Sequence, residues 1–351
     1  MRARLAVPLA LTFCVVAPPG LRAQMGCERA FMPAVDSVRQ MVTELGLPGA
    51  GLIIRLKGRT VCEAYVGPIG SATEMPVVSA AKWLSAAAIL VLVDQGKLKL
   101  DDSVSHYLPY FKGDKRGITV RQLLSHTSGL PDYAPCMFQQ ELTLEDCARQ
   151  IGENVKLRAP PGAEFAYGGA AFTVAGRVAE IAAQATWAEI FSATIATPLG
   201  LRHTGYGSTA NPLLSEGLTY SSAGDYATFL QMLLDGGVHD GRRILSESAL
   251  DEMTRDQTVG VTGRFAPGGV TDRTYGLGCW RDAVDSVTGR ALLVTSPGGG
   301  GFVPWLNRRR GIVGVLAVYD RLERVWPTAL AVMTAARDGA VALDSAVTGT
   351  H

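Results

Sequence analysis

The chain is expected to fold as an α+β protein, with one sheet assembled from its two ends and a mostly helical segment between them. Strand-like runs lie near both termini, at 50–66 and 275–319, and helical spacing of apolar residues dominates the middle. Composition agrees: of 351 residues 47% are hydrophobic and only 19% charged, which excludes a disordered chain, a coiled coil and a collagen-like fibre. The 33 Lys plus Arg against 32 Asp plus Glu give a formal charge of +1. That leaves no cation excess to neutralise phosphates, so no nucleic-acid partner is expected. Only seven of the basic residues are Lys, so each is worth locating.

Residues 1–23 read as a signal peptide. Arg2 and Arg4 give a positive start, Leu5 to Val16 an apolar run too short to span a bilayer, and Ala23 a small residue within a few positions of the cut. The alternative is a retained anchor. No lipobox precedes Cys14. The expectation is an exported protein, periplasmic or secreted, with no stable membrane anchor once the leader is removed.

The first helix is expected over 31–45, where Val35, Val38, Met41, Val42 and Leu45 recur at helical spacing, and Gly46 ends it. Residues 50–56 and 60–66 read as strands around Lys57-Gly58-Arg59. The run 79–93 is apolar almost all round and should be a central buried helix. Further helices are expected over 119–125, 170–185 and 224–234. Strands follow at 275–281, 291–295 and 311–319, then a helix over 326–337, with the tail after Gly339 either extending or fraying it. The expected division is a sheet domain from 24–78 with 270–351, and a mostly helical domain from 79–269.

Export permits disulfides. Cys136 and Cys147 flank a short loop and form the expected pair. Cys27 with Cys62 would tie the N-terminus to a strand, and Cys279, in a run that reads as a buried strand, is expected to stay a thiol. With no C-x-x-C and no metal-ligand spacing among the five histidines, no metal is expected.

Ser79-Ala80-Ala81-Lys82 has the form S-x-x-K. At i and i+3 of a helix the two side chains share a face, with Cβ atoms about 5–6 Å apart. A serine at a helix start lies among outward-pointing N–H groups, and a neutral lysine can take its proton. Lys82 is the only charge between Glu74 and Asp94 in an otherwise apolar run. Burying an ammonium costs several kcal/mol, so such a lysine has a partner or a task. The bland alternative is a serine cap with a lysine snorkelling to solvent.

With this motif stand Ile118 to Pro131 (which includes Ser-His-Thr-Ser-Gly-Leu), Pro160-Pro-Gly-Ala-Glu-Phe-Ala-Tyr167, Gly217 to Asp225 with Gln231 to Gly237, and a glycine run at 298–301. In this order, over roughly 35 to 335, the chain resembles the class C β-lactamase and penicillin-binding-protein-like serine hydrolase family. The resemblance implies the β-lactamase/transpeptidase-like fold, with an antiparallel sheet from both termini packed by helices. It implies an acyl-enzyme on Ser79, with Lys82 and Tyr167 as the base pair and Tyr167 protonating the leaving group, and no metal or organic cofactor. Ser296, Gly298 and Gly299 fall at the substrate-binding third motif, where the N–H of Gly299 with that of Ser79 would form the oxyanion hole.

Two departures bear on substrate. The family usually continues Tyr-x-Asn, and here Gly169 follows at that place. The third motif, Ser296-Pro297-Gly298, has no cation for a substrate carboxylate. The expected partner is therefore a small ester or amide, with esterase chemistry favoured over a true β-lactamase or D-Ala-D-Ala carboxypeptidase. A peptide- or penicillin-binding protein without turnover is the alternative of another class. Ser128, beside His126, reads as a structural turn, and Trp280 and Trp305 as packing near the pocket strands.

Overall fold

The computed structural model describes residues 24–348 except 140, 216–218 and 267–272. The expected signal peptide, with Cys14, lies outside the described residues. The principal elements are β1 (Gln24–Cys27), α1 (Met32–Leu45), β2 (Ala50–Leu56), β3 (Arg59–Val66), α2 (Ala81–Asp94), α3 (Val120–Leu124), α4 (Leu144–Asn154), β4 (Glu164–Ala166), α5 (Ala170–Ala183), α6 (Ala223–Leu234), α7 (Glu247–Thr254), β5 (Gly263–Phe265), β6 (Thr274–Tyr275), β7 (Trp280–Val284), β8 (Ala291–Thr295), β9 (Val303–Asn307), β10 (Ile312–Ala317) and α8 (Leu322–Thr348).

Eight strands form one antiparallel sheet in the order β1-β3-β2-β10-β9-β8-β7-β6. The N-terminal β2 pairs with the C-terminal β10, Ile312 opposite Leu56 and Ala317 opposite Gly51, so the two ends of the chain meet at the centre of the sheet. Strand side chains alternate between faces. Leu52, Ile54, Ile312 and Leu316 pack under α1 and α8, while Ile53, Val313, Val315 and Ala317 face α2, α6 and the helical half. Burying a side chain such as Ile53 or Leu316 contributes about 1.5–3 kcal/mol. The sheet is covered on both faces.

Two elements differ from expectation, and the last helix follows one of its two expected courses. The single strand expected over 275–281 is a hairpin: Tyr275 pairs with Trp280, and Gly276 N donates to Cys279 O, so Cys279 lies in a tight turn between β6 and β7. Its thiol is free and buried, and burial pushes its pKa up to about 12. Strand β9 has no counterpart in the sequence reading, because Pro304 within it argues against an inner strand. It is tolerated because β8 ends at Thr295 opposite Trp305, leaving no β8 partner for residue 304. The last helix runs well past Gly339. That glycine is a close-approach point, where a β-carbon would stand 2.7 Å from Ala30 O.

Cys27 and Cys62 are bonded across β1 and β3, and Cys136 is bonded to Cys147 at the start of α4's second turn. The loops they close span sequence separations of 35 and 11. Chain-entropy arguments give about 4 and about 3 kcal/mol respectively. Paired Cys→Ser variants are therefore expected to lose stability in that order. Urea unfolding midpoints of the two double variants check it, and equal losses would contradict the loop-length account.

Candidate active site

Helix α2 runs through the middle of the molecule, buried over nearly its whole length, and is fixed at its start by side chains from other elements. Tyr226 Oη donates to Ala80 O at 2.8 Å, and Trp83 Nε1 donates to Met253 Sδ at 3.2 Å. Ser79 sits in the 3-10 turn Val78–Ala80 that leads into it, 8% exposed. Val78 has φ +48°, a backbone region that a β-branched residue rarely adopts. Strain of this kind, about 1–3 kcal/mol, persists only where the surroundings impose it.

Lys82 is 0% exposed. Its Nζ donates to Ser79 Oγ at 3.0 Å and to Ser215 O at 3.0 Å, and stands 4.6 Å from the centre of the Tyr167 ring. The carbonyl of Ser215 was missed in the sequence reading, since a backbone acceptor leaves no residue-type signal. The adjacent Leu214 O accepts from Ser85 Oγ at 2.6 Å, so two successive carbonyls dock this segment along α2.

Tyr167 follows β4, which pairs in parallel with β5, and its own N–H donates to Phe265 O at 2.9 Å. The ring stacks on Trp280 at 5.3 Å and contacts His126 at 4.6 Å. Trp280 is thus a platform for Tyr167, whereas Trp305 is buried in the sheet. The structure brings Ser79, Lys82 and Tyr167 into one cluster. Gly169, where a carboxamide is usual, is the N-cap of α5 and donates to Asp132 O at 2.6 Å.

His126 is the second residue missed. It is buried, both ring nitrogens lack a hydrogen-bond partner among the described residues, and Phe165, Phe172 and Tyr275 also surround it. Burial first, and the Lys82 charge second, hold its pKa well below 6.5. It is neutral in the folded protein, while the unfolded chain takes up a proton as pH falls through about 6.5. Stability should therefore fall on acidification below that pH, and the fall should be shallower in His126→Gln. Melting temperatures of both proteins from pH 8 to 5 check this, and parallel curves would contradict it. Ser128 is buried and accepts from Leu130 N at 3.3 Å, as a turn residue does.

At the third motif Ser296 and Gly298 are both buried and engaged by neighbouring backbone. Ser296 is buried, and its hydroxyl donates to Gly278 O at 3.1 Å and Ser79 O at 3.4 Å. It ties the end of β8 to the Val78–Ala80 turn. The N–H of Gly298 is engaged by Phe302 O at 2.8 Å, and a β-carbon there would stand 2.1 Å from Val77 O. Its part is steric: only glycine lets this loop close on the residue two before Ser79. Gly298→Ala is expected to destabilise by at least about 2 kcal/mol and to lose activity. Thermal melting checks it, and a wild-type melting temperature would refute the packing. Gly299 alone of 296–299 is exposed, beside the Val78 side chain.

Among the described residues no group of three His, Cys, Asp or Glu could hold a metal ion, and no helix is long and apolar enough to cross a membrane.

A central S-x-x-K helix under an antiparallel sheet built from both termini defines the class, and the chain belongs to the beta-lactamase family, whose model matches residues 35–323. A beta-lactamase-like protein of Bacteroides dorei DSM 17855 is similar in structure, 33% identical, with a TM-score of 0.76 over 82% of this chain and 90% of that one. A family VIII carboxylesterase shares the fold at 18% identity, with a TM-score of 0.75 over 91% of this chain and 100% of that one. The human mitochondrial serine beta-lactamase-like protein LACTB is 33% identical over 124 residues, 30% of this chain and 23% of that protein. Protein flp of Staphylococcus aureus strain N315 is 26% identical over 193 residues, 51% of this chain and 39% of that protein. The chain spans well under half the length of these last two relatives.

Proposed function

We propose that the chain is an exported serine hydrolase that cleaves an ester, or an amide, through an acyl-enzyme on Ser79, with esters favoured. The observation that carries this reading is the 3.0 Å contact between the buried Lys82 Nζ and Ser79 Oγ. With the amine neutral, the same contact carries the hydroxyl proton to nitrogen as Oγ attacks the substrate carbonyl. Tyr167, against Lys82, passes a proton to the departing alcohol or amine. Water then adds to the acyl carbon, gives its proton to the same pair, and Ser79 regains its own as the acid leaves. Ser79 N and the exposed Gly299 N are the proposed oxyanion donors.

The fold does not choose the substrate, since a carboxylesterase and a β-lactamase/D-alanine carboxypeptidase both share it. Gly169 and the cation-free third motif support the ester. The leader-like residues 1–23 and two disulfides support export. The purified protein should turn over short p-nitrophenyl esters faster than a chromogenic cephalosporin. A cephalosporin opened well above the ester rate would make it a β-lactamase of unusual motif.

A further inference from the structure

We propose that the substrate carries a bulky apolar, aromatic group that lies against Tyr319 and Val78. This rests on the hydrolase reading and names its substrate class.

Tyr319 directly follows the buried Val318 beyond β10, yet is 63% exposed. Two of its ring carbons lie 3.5 Å from the point where a β-carbon at Gly300 would stand, and Val78 Cγ2 lies 3.1 Å from the same point. Gly300 is thus sandwiched between the residue before the nucleophile and an aromatic ring. The backbone holds the ring in place: Asp320 N donates to Gly300 O at 3.0 Å, and Leu322 N donates to Gly299 O at 2.9 Å. The surface beside the proposed oxyanion donor is therefore apolar.

A further pair of exposed aromatics lies beside the segment that Gly169 contacts. Asp132 O accepts from Gly169 N, two residues after Tyr167, and the next residue, Tyr133, is 46% exposed. Its ring lies 5.9 Å from that of Phe138, 61% exposed, on the loop that the Cys136–Cys147 bond closes. Exposed aromatics scattered singly need no explanation, but Tyr319 packs on Gly300 together with the side chain of Val78, the residue before Ser79. Apolar contact of this size discriminates substrates by about 10- to 200-fold. The opposing feature is Arg321, whose exposed guanidinium follows Asp320, itself paired with Arg324 at 2.9 Å. A site built for a carboxylate would use Arg321.

The test compares kcat/KM for p-nitrophenyl phenylacetate, acetate and hemisuccinate. In Tyr319→Ser the phenylacetate-to-acetate ratio should fall about tenfold, and Tyr319→Phe should restore it. An unchanged ratio in Tyr319→Ser, or a hemisuccinate preference lost in Arg321→Ser, would overturn the proposal. Binding of 2-naphthyl acetate to Ser79→Ala, with and without Tyr319→Ser, reads the same surface without turnover. About tenfold weaker binding in the double variant supports the apolar wall even if the wild type hydrolyses nothing, an outcome that removes the hydrolase reading alone. Equal binding overturns the wall.

Discussion

Replacing Ser79 with alanine is expected to lower kcat/KM toward any ester the wild type hydrolyses by on the order of 10^4-fold or more. The change removes one oxygen from the middle of a 3-10 turn and leaves the buried Ala80 and Ala81 in place. Melting temperature should fall only modestly, because Lys82 Nζ loses one buried acceptor but keeps Ser215 O. Loss of activity without loss of fold separates a nucleophile from a helix cap, because a cap substitution costs about 1 kcal/mol and leaves chemistry alone. Initial rates with p-nitrophenyl acetate and a thermal melt make the comparison. Full activity in Ser79→Ala would remove the acyl-enzyme from the account.

The second large effect is at Lys82. Lys82→Met keeps the volume of a wholly buried side chain and removes the amine. A general base of this kind contributes about 10^2–10^4-fold, so a fall of about 10^3 is expected. The carbonyl of Ser215 loses the donor it has at 3.0 Å, a penalty of about 1–3 kcal/mol, so the variant should fold with a lowered melting temperature. Lys82→Arg separates charge from basicity. A guanidinium keeps the positive charge but does not give up a proton, so it should be as inactive as Met. If Arg restored the rate, Lys82 would act by charge alone. If Met retained a tenth of the activity, the base would lie elsewhere.

Where side-chain chemistry repeats with the period of its element, the sequence was readable. The apolar run at 50–56 before the Lys57-Gly58-Arg59 turn marked a strand, and the single lysine in the apolar run at 79–93 marked the helix that carries the candidate site. Pairing within 24–66 and 291–317 is antiparallel between neighbours in sequence, apart from the β1–β3 pair and the β2–β10 seam. Interactions made by backbone left no such trace. Ser215 meets Lys82 through its carbonyl, and Ser296 turns its hydroxyl onto the carbonyls of Gly278 and Ser79. The hairpin at 275–281 was hidden because its turn residues Leu277 and Cys279 are as apolar as the strands they join. His126 looked like a turn residue by position. Its place beneath Tyr167 depends on α5, β4 and β6 converging from distant parts of the chain.

The most direct test of the account is to treat the purified protein with a fluorophosphonate probe and map the modified peptide by mass spectrometry. The account predicts one adduct, on Ser79, absent from Ser79→Ala and strongly slowed in Lys82→Met. An adduct on another serine such as Ser128, or labelling that survives in Ser79→Ala, would contradict it.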